Sequence, residues 1–120
     1  MSIIKKLTDM VIKFRSERNW KRYHHPKSQV ISLMIEVGEL AEHFQYLDGA
    51  ELKKYIKKFK SEIADELADV LWWVLIIASD LNIDLEKAFY KKMKKNAKKY
   101  PVPKNGEEVG KLFNKLKKSE

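Results

Sequence analysis

Cysteine is absent from the chain, which excludes disulfide frameworks, thiolate metal sites and cysteine nucleophiles together and leaves the compartment without a redox signal. A long uncharged apolar run is missing too. The longest, residues 70–79, falls far short of the roughly 20 residues that a membrane-spanning helix needs. Residues 1–10 contain no hydrophobic region followed by a cleavage site. The expectation is therefore a cytoplasmic protein with no membrane partner. No segment sustains a two-residue alternation, no internal repeat is visible, and no glycine-rich phosphate loop occurs. What remains is helix, in a chain of 120 residues that makes about one domain and is small enough for oligomerisation to help it.

Charge is plentiful and unbalanced. The net charge is +8 with a pI near 9.5, which favours attraction to nucleic acid, nucleotides or acidic surfaces. The lysines concentrate at 53–60, 91–99 and 111–118, where they read as solvated helix surfaces and a tail rather than as a nucleic-acid footprint.

Along the chain, Ile3, Ile4, Leu7, Met10, Val11 and Phe14 recur at helical spacing, and Asn19 can close that first helix. Trp20 to Pro26 makes an aromatic and basic loop. Ser28 is placed to cap a second helix running to about Leu47, where Asp48-Gly49 breaks it. From Glu51 to about Asp80 the helical period persists, predicting one long helix kinked near 58–61. Its stretch 71–78 is apolar almost all round and must be covered on every side, which points to a subunit interface. Asp84 caps a helix that turns Leu85, Phe89, Met93 and Ala97 inward and stops at Pro101. The expected architecture is an all-α four-helix bundle over residues 1–103, followed by a basic C-terminal tail over 104–120.

Two acidic pairs interrupt the apolar pattern. Glu36 and Glu39 stand in Val30-Ile-Ser-Leu-Met-Ile-Glu-Val-Gly-Glu-Leu-Ala41, and Glu66 and Asp69 stand between Ile63 and Ala78. A buried ionised carboxylate costs several kcal/mol unless it is paired or binds a metal. Each pair is spaced by three, so each projects from one face of its own helix, and facing pairs would form a four-carboxylate cage. Oxygen-only ligands suit Mg²⁺, with Mn²⁺ as a substitute; without cysteine or a paired-histidine spacing, zinc is disfavoured. No Glu-x-x-His occurs, which argues against a di-iron site. Glu62 extends the stripe of Glu66, Asp69 and Trp73 by one turn, as a further ligand, a base for water, or a surface acid paired with Lys58. Mg²⁺ held by carboxylates is commonly shared with substrate phosphates, so hydrolysis of a nucleotide phosphoanhydride suits the constellation. Trp20 and Tyr23 offer faces on which a base can stack. Two other readings are a basic helical module that binds nucleic acid and a non-catalytic oligomeric bundle; neither needs acids among apolar residues.

Glu36-Val-Gly-Glu39-Leu-Ala-Glu42, followed by Glu66-Leu-Ala-Asp69-Val, resembles the MazG-like all-α nucleoside triphosphate pyrophosphohydrolases. Phe14-Arg-Ser-Glu-Arg18-Asn-Trp20, Tyr23-His24-His25-Pro26, Phe44-Gln45 and Lys92-Met93 through Asn96-Ala-Lys-Lys-Tyr100-Pro101 look like its dCTP pyrophosphatase branch. The resemblance implies cleavage of a deoxynucleoside triphosphate, dCTP or a related pyrimidine, to monophosphate and pyrophosphate in a Mg²⁺-dependent homodimer or homotetramer. It implies Glu36, Glu39, Glu66 and Asp69 as metal ligands and Trp20 and His24 at the base. Lys92 and Asn96 would meet phosphates or sugar, and Tyr100 would help close the site. Tyr46 and Trp73 stand where the branch usually carries Trp and Tyr, and both positions bear on the base and sugar pocket.

Overall fold

The structure, a computed structural model, describes residues 1–103. The expected tail over 104–120 lies outside the described residues. Five α-helices occur and no strand is present among the described residues: α1 (Ile3–Glu17), α2 (Pro26–Glu42), α3 (Gly49–Lys58), α4 (Lys60–Asp80) and α5 (Leu85–Lys99). The all-α class is as expected. The helix count is five because the long third helix is broken, not kinked: Phe59 leaves helical geometry at φ −108°, ψ 25°, and its ring packs on Tyr55 at 4.5 Å.

Two compact units divide the chain, Met1–Asp84 and the segment from Leu85 onward. In the first unit α4 is the central element, packed against α2, α1 and α3. Val11, Ile63, Leu75, Ile76 and Ala78 form its buried apolar core. Ile76 is fully covered, and burial of a side chain of that size contributes about 1.5–3 kcal/mol. Of the apolar stretch 71–78 on α4, Leu75, Ile76 and Ala78 are buried within the unit, while Leu71 stays exposed and the rest are half-buried. Exposed apolar surface also lies on the outer side of α2, at Val30, Ile31, Met34, Ile35 and Val37, and on α4 at Leu67 and Leu71. Among the described residues, no helix is long and apolar enough to cross a membrane.

The ends of α1 and α4 are closed alike. Asn19 (φ 54°) and Asn82 (φ 55°) adopt the left-handed conformation that asparagine tolerates better than most residues. Behind Asn19, Trp20 N–H donates to Arg15 O at 3.1 Å and Asn19 N–H to Ser16 O at 3.1 Å; behind Asn82, Ile83 N–H donates to Ala78 O at 2.8 Å. The first of these turns delivers Trp20 to the side of α1. After a 3₁₀ turn over Lys21–Tyr23, α2 starts at Pro26 rather than after Ser28. Proline is favoured in the first helical position because its missing N–H would be unpaired there anyway. Ser28 still takes part, as its hydroxyl accepts from His25 N–H at 3.0 Å in a reciprocal cap. The second helix ends at Glu42, earlier than the expected Leu47, with His43 as its cap.

Candidate active site between the acidic helices

The packing of α2 on α4 brings the two acidic pairs together. Glu36, Glu39 and Glu66 each offer a carboxylate oxygen, and these oxygens lie within 4.8 Å of one another. Asp69, one turn beyond Glu66, stands close enough to raise the pKa of both Glu36 and Glu66. For Glu36 the main cause of the rise is burial, followed by repulsion from Glu39. For Glu66 it is again burial, then its hydrogen bond and repulsion with Glu39, with His43 acting weakly the other way. Negative charge is therefore crowded around the half-buried Glu36 and Glu66, with Glu39 and Asp69 exposed beside them. Glu36 Oε2 and Glu66 Oε2 are buried and have no hydrogen-bond partner. Orphaned carboxylate oxygens on two facing helices fit a hard divalent cation, which would satisfy them and offset the repulsion.

Two cavities flank this group. One, of about 510 Å³, is lined by Met10, Val11, Phe14, Trp20, Glu36, Asp69, Trp72 and Trp73. Its size is in the range of small-molecule sites, and its combination of an apolar wall with a few convergent polar groups is their usual chemistry. The other, of about 500 Å³, is lined by Glu39, Glu42, His43, Tyr55 and Glu66, with His43 Nδ1 2.7 Å from the Tyr55 hydroxyl. The acids are shared, Glu36 and Asp69 facing the aromatic cavity and Glu39 and Glu66 the polar one.

Of the residues singled out from the sequence, Trp20 and Trp73 line the aromatic cavity. His24 stands against the rings of Trp72 and Trp73, at 6.0 and 5.2 Å between centroids, and is not among the cavity's lining residues. Tyr46 is 86 % exposed in the turn after α2 and lines neither cavity. Glu62 is exposed in the first turn of α4 and is not in the three-acid group. Lys92 and Asn96 lie four residues apart on α5, and Tyr100 follows that helix, its N–H donating to Asn96 O at 2.8 Å. All three belong to the second unit.

The residues that the linear pattern does not reveal are of two kinds. Met10, Val11 and Phe14 sit at helical spacing and read as core, yet that face of α1 also walls the aromatic cavity. Arg15, Gln29 and Asp80 have no local pattern at all. Arg15 is 4 % and Gln29 1 % exposed, and both donate to Asp80.

With this geometry in hand, similarity to known proteins is informative. Residues 31–116 match the profile of the MazG-like family. The chain is 37% identical over 91 residues to dCTP pyrophosphatase 1 of Rattus norvegicus, covering 74% of this chain and 54% of that protein. Against dCTP pyrophosphatase 1 of Homo sapiens it is 34% identical with the same coverage. This chain therefore spans about half the length of those relatives. A solved pyrophosphatase from Archaeoglobus fulgidus superposes with a TM-score of 0.78 at 35% identity, over 85% of this chain and 95% of that one.

Proposed function

The chain belongs to the MazG-like family, and from that premise we propose that it is a nucleoside triphosphate pyrophosphohydrolase, cleaving dCTP or a related pyrimidine deoxynucleotide to the monophosphate and pyrophosphate with Mg²⁺. The observation that carries this reading is the group of Glu36, Glu39 and Glu66 oxygens within 4.8 Å of one another, set beside an aromatic cavity that Glu36 and Asp69 line. Glu36, Glu39 and Glu66 would hold the cation, joined by Asp69. When bound, Mg²⁺ or Mn²⁺ supplies charge against the phosphate chain and acidifies water.

The protein's own groups have separable tasks. Trp20, Trp72 and Trp73 present ring faces and edges that suit a planar base, with Met10, Val11 and Phe14 on the same apolar wall. A carboxylate of the acid group would take the proton of the attacking water. Roles for Lys92, Asn96 and Tyr100 at phosphate and sugar, and for Tyr46 at the base, rest on the sequence resemblance.

Products decide the reaction class. A panel of deoxynucleoside triphosphates incubated with the full chain and Mg²⁺, followed by phosphorus NMR, should show pyrophosphate and monophosphate appearing together. Orthophosphate as the first product would overturn the reading.

The exposed apolar side of α2 supports association of copies of this chain into a dimer or tetramer. Met34 at 67 % exposure leads a surface that water solvates poorly. Sedimentation at micromolar concentration should give at least twice the monomer mass, and Val30→Glu with Met34→Glu should reduce it to one. A monomeric parent chain would sink the assembly.

A further inference from the structure

We infer that Arg15 and Asp80, neither of which lines the aromatic cavity, are positioning residues that set its wall by holding His24 as the Nε2–H tautomer behind Trp72 and Trp73. The consequence for substrate rests on the nucleotide reading above; the arrangement of the side chains does not. Arg15 Nη1 donates to Asp80 Oδ2 at 2.6 Å and Nη2 to Asp80 Oδ1 at 2.8 Å, while Gln29 Nε2 donates to the same Oδ2 at 2.6 Å. One carboxylate at the end of α4 thus ties α1 and α2 to the helix that carries both tryptophans and Asp69.

The guanidinium has a further neighbour. Its Nη1 lies 3.5 Å from His24 Nδ1, at the long end of hydrogen bonding. Arginine has donors and no acceptor, so a hydrogen bond across this gap requires Nδ1 to present its lone pair and the neutral ring to carry its proton on Nε2. The ring so oriented meets Trp72 nearly edge-on, with an interplanar angle of 88°, and Trp73 at 57°. Arg15 also anchors the other end of the loop, because its carbonyl accepts from Trp20 N–H at 3.1 Å. Through main chain and side chain, one buried residue places Trp20, His24 and, through His24, the two tryptophans of α4.

Stability alone does not account for the pair. A buried arginine paired with a half-buried carboxylate gains little over apolar side chains of similar volume. What apolar groups cannot do is choose a histidine tautomer. The electrostatics agree with the geometry: His24 is pushed below its ordinary pKa first by burial and then by Arg15, with Asp80 opposing and His25 adding a little. Asp80 is held low chiefly by the Arg15 hydrogen bond, against its own burial.

The test uses the full chain. Long-range proton–nitrogen spectra of the ligand-free protein, with His24 assigned by loss of its signal in His24→Gln, should show a protonated Nε2; a protonated Nδ1 overturns the proposal without any variant or substrate. Titration of the same ring should move upward in Arg15→Gln, which removes the opposing cation, and downward in Asp80→Asn, which removes the supporting anion. Shifts in one direction, or none, count against it. With dCTP and Mg²⁺, Asp80→Asn should raise KM about 10-fold, as loss of a partner behind a binding group typically does, and leave kcat within about twofold. A fall in kcat with KM unchanged would mean lost folded protein and overturn the positioning role. If the parent chain turns over no nucleoside triphosphate, the nucleotide reading fails while the tautomer and titrations still decide this one.

Discussion

Replacing Glu66 by Gln should lower turnover of the preferred nucleoside triphosphate by at least about 100-fold, the upper range for losing even an indirect supporter of a metal ligand, while the helical content stays unchanged. The carboxylate sits with Glu36 and Glu39 in a group whose oxygens approach within 4.8 Å, and one of its own oxygens is buried without a partner. An amide of the same shape preserves packing and removes one negative charge. Cation affinity should fall with activity, since hard cations are held by charged oxygen. The metal-free variant should also melt above the parent at neutral pH, because burial and Glu39 are what push Glu66 upward in pKa and the change relieves both. Pyrophosphate release, calorimetric titration with Mg²⁺ and circular dichroism check the three parts. Activity within about threefold of the parent would take Glu66 out of the site.

The second large effect is on stability and runs through pH and metal together. Glu36 and Glu66 have folded pKa values raised above the unfolded ones, so between the ordinary glutamate range and the raised values the folded state holds more protons than the unfolded state. Stability contributed by these two groups must then fall as pH rises through that window. Below the ordinary range all are protonated in both states and the penalty vanishes. Asp80 acts oppositely, since its lowered pKa adds stability above the ordinary aspartate range that is lost on acidification. Comparing the parent with Glu66→Gln separates the two: the melting advantage of the variant should be present at neutral pH and disappear in acid. Mg²⁺ at about 100 times its dissociation constant should stabilise the parent by about 2.7 kcal/mol. In a chain of this size that corresponds to a rise of about 10 °C or more. Scanning calorimetry with and without Mg²⁺ at two pH values reads this directly, and an unchanged melting temperature at neutral pH would mean that the acids hold no cation.

Much of the fold could be read without coordinates, for reasons that are local. Apolar residues spaced for one helical face, Asn19 after α1 and Pro101 after α5 are short-range signals, and each acts within a few residues of itself. The break at Phe59 was visible only as a suspected kink, because neither proline nor glycine marks it and the Tyr55 ring is what Phe59 turns onto. The apolar run 71–78 is a similar case. Period alone says that such a surface must be covered; it does not say which part of it α1 and α2 cover and which part stays exposed.

The acidic pairs belong on both sides of that line. Their spacing by three, their apolar neighbours and the match of their motif to a family are properties of the linear chain, and they single out these carboxylates. The crossing of α2 on α4 then decided that Glu36, Glu39 and Glu66 converge, with Asp69 turned to the aromatic cavity and Glu62 left outside the group. Arg15, Gln29 and Asp80 mark the far limit. Arg15 and Asp80 lie 65 residues apart, Gln29 and Asp80 51. No periodicity connects them, since a contact between helices depends on packing angles and not on sequence spacing. The chemistry of the site was written in residue type, and its wall was made by the helices that happened to meet there.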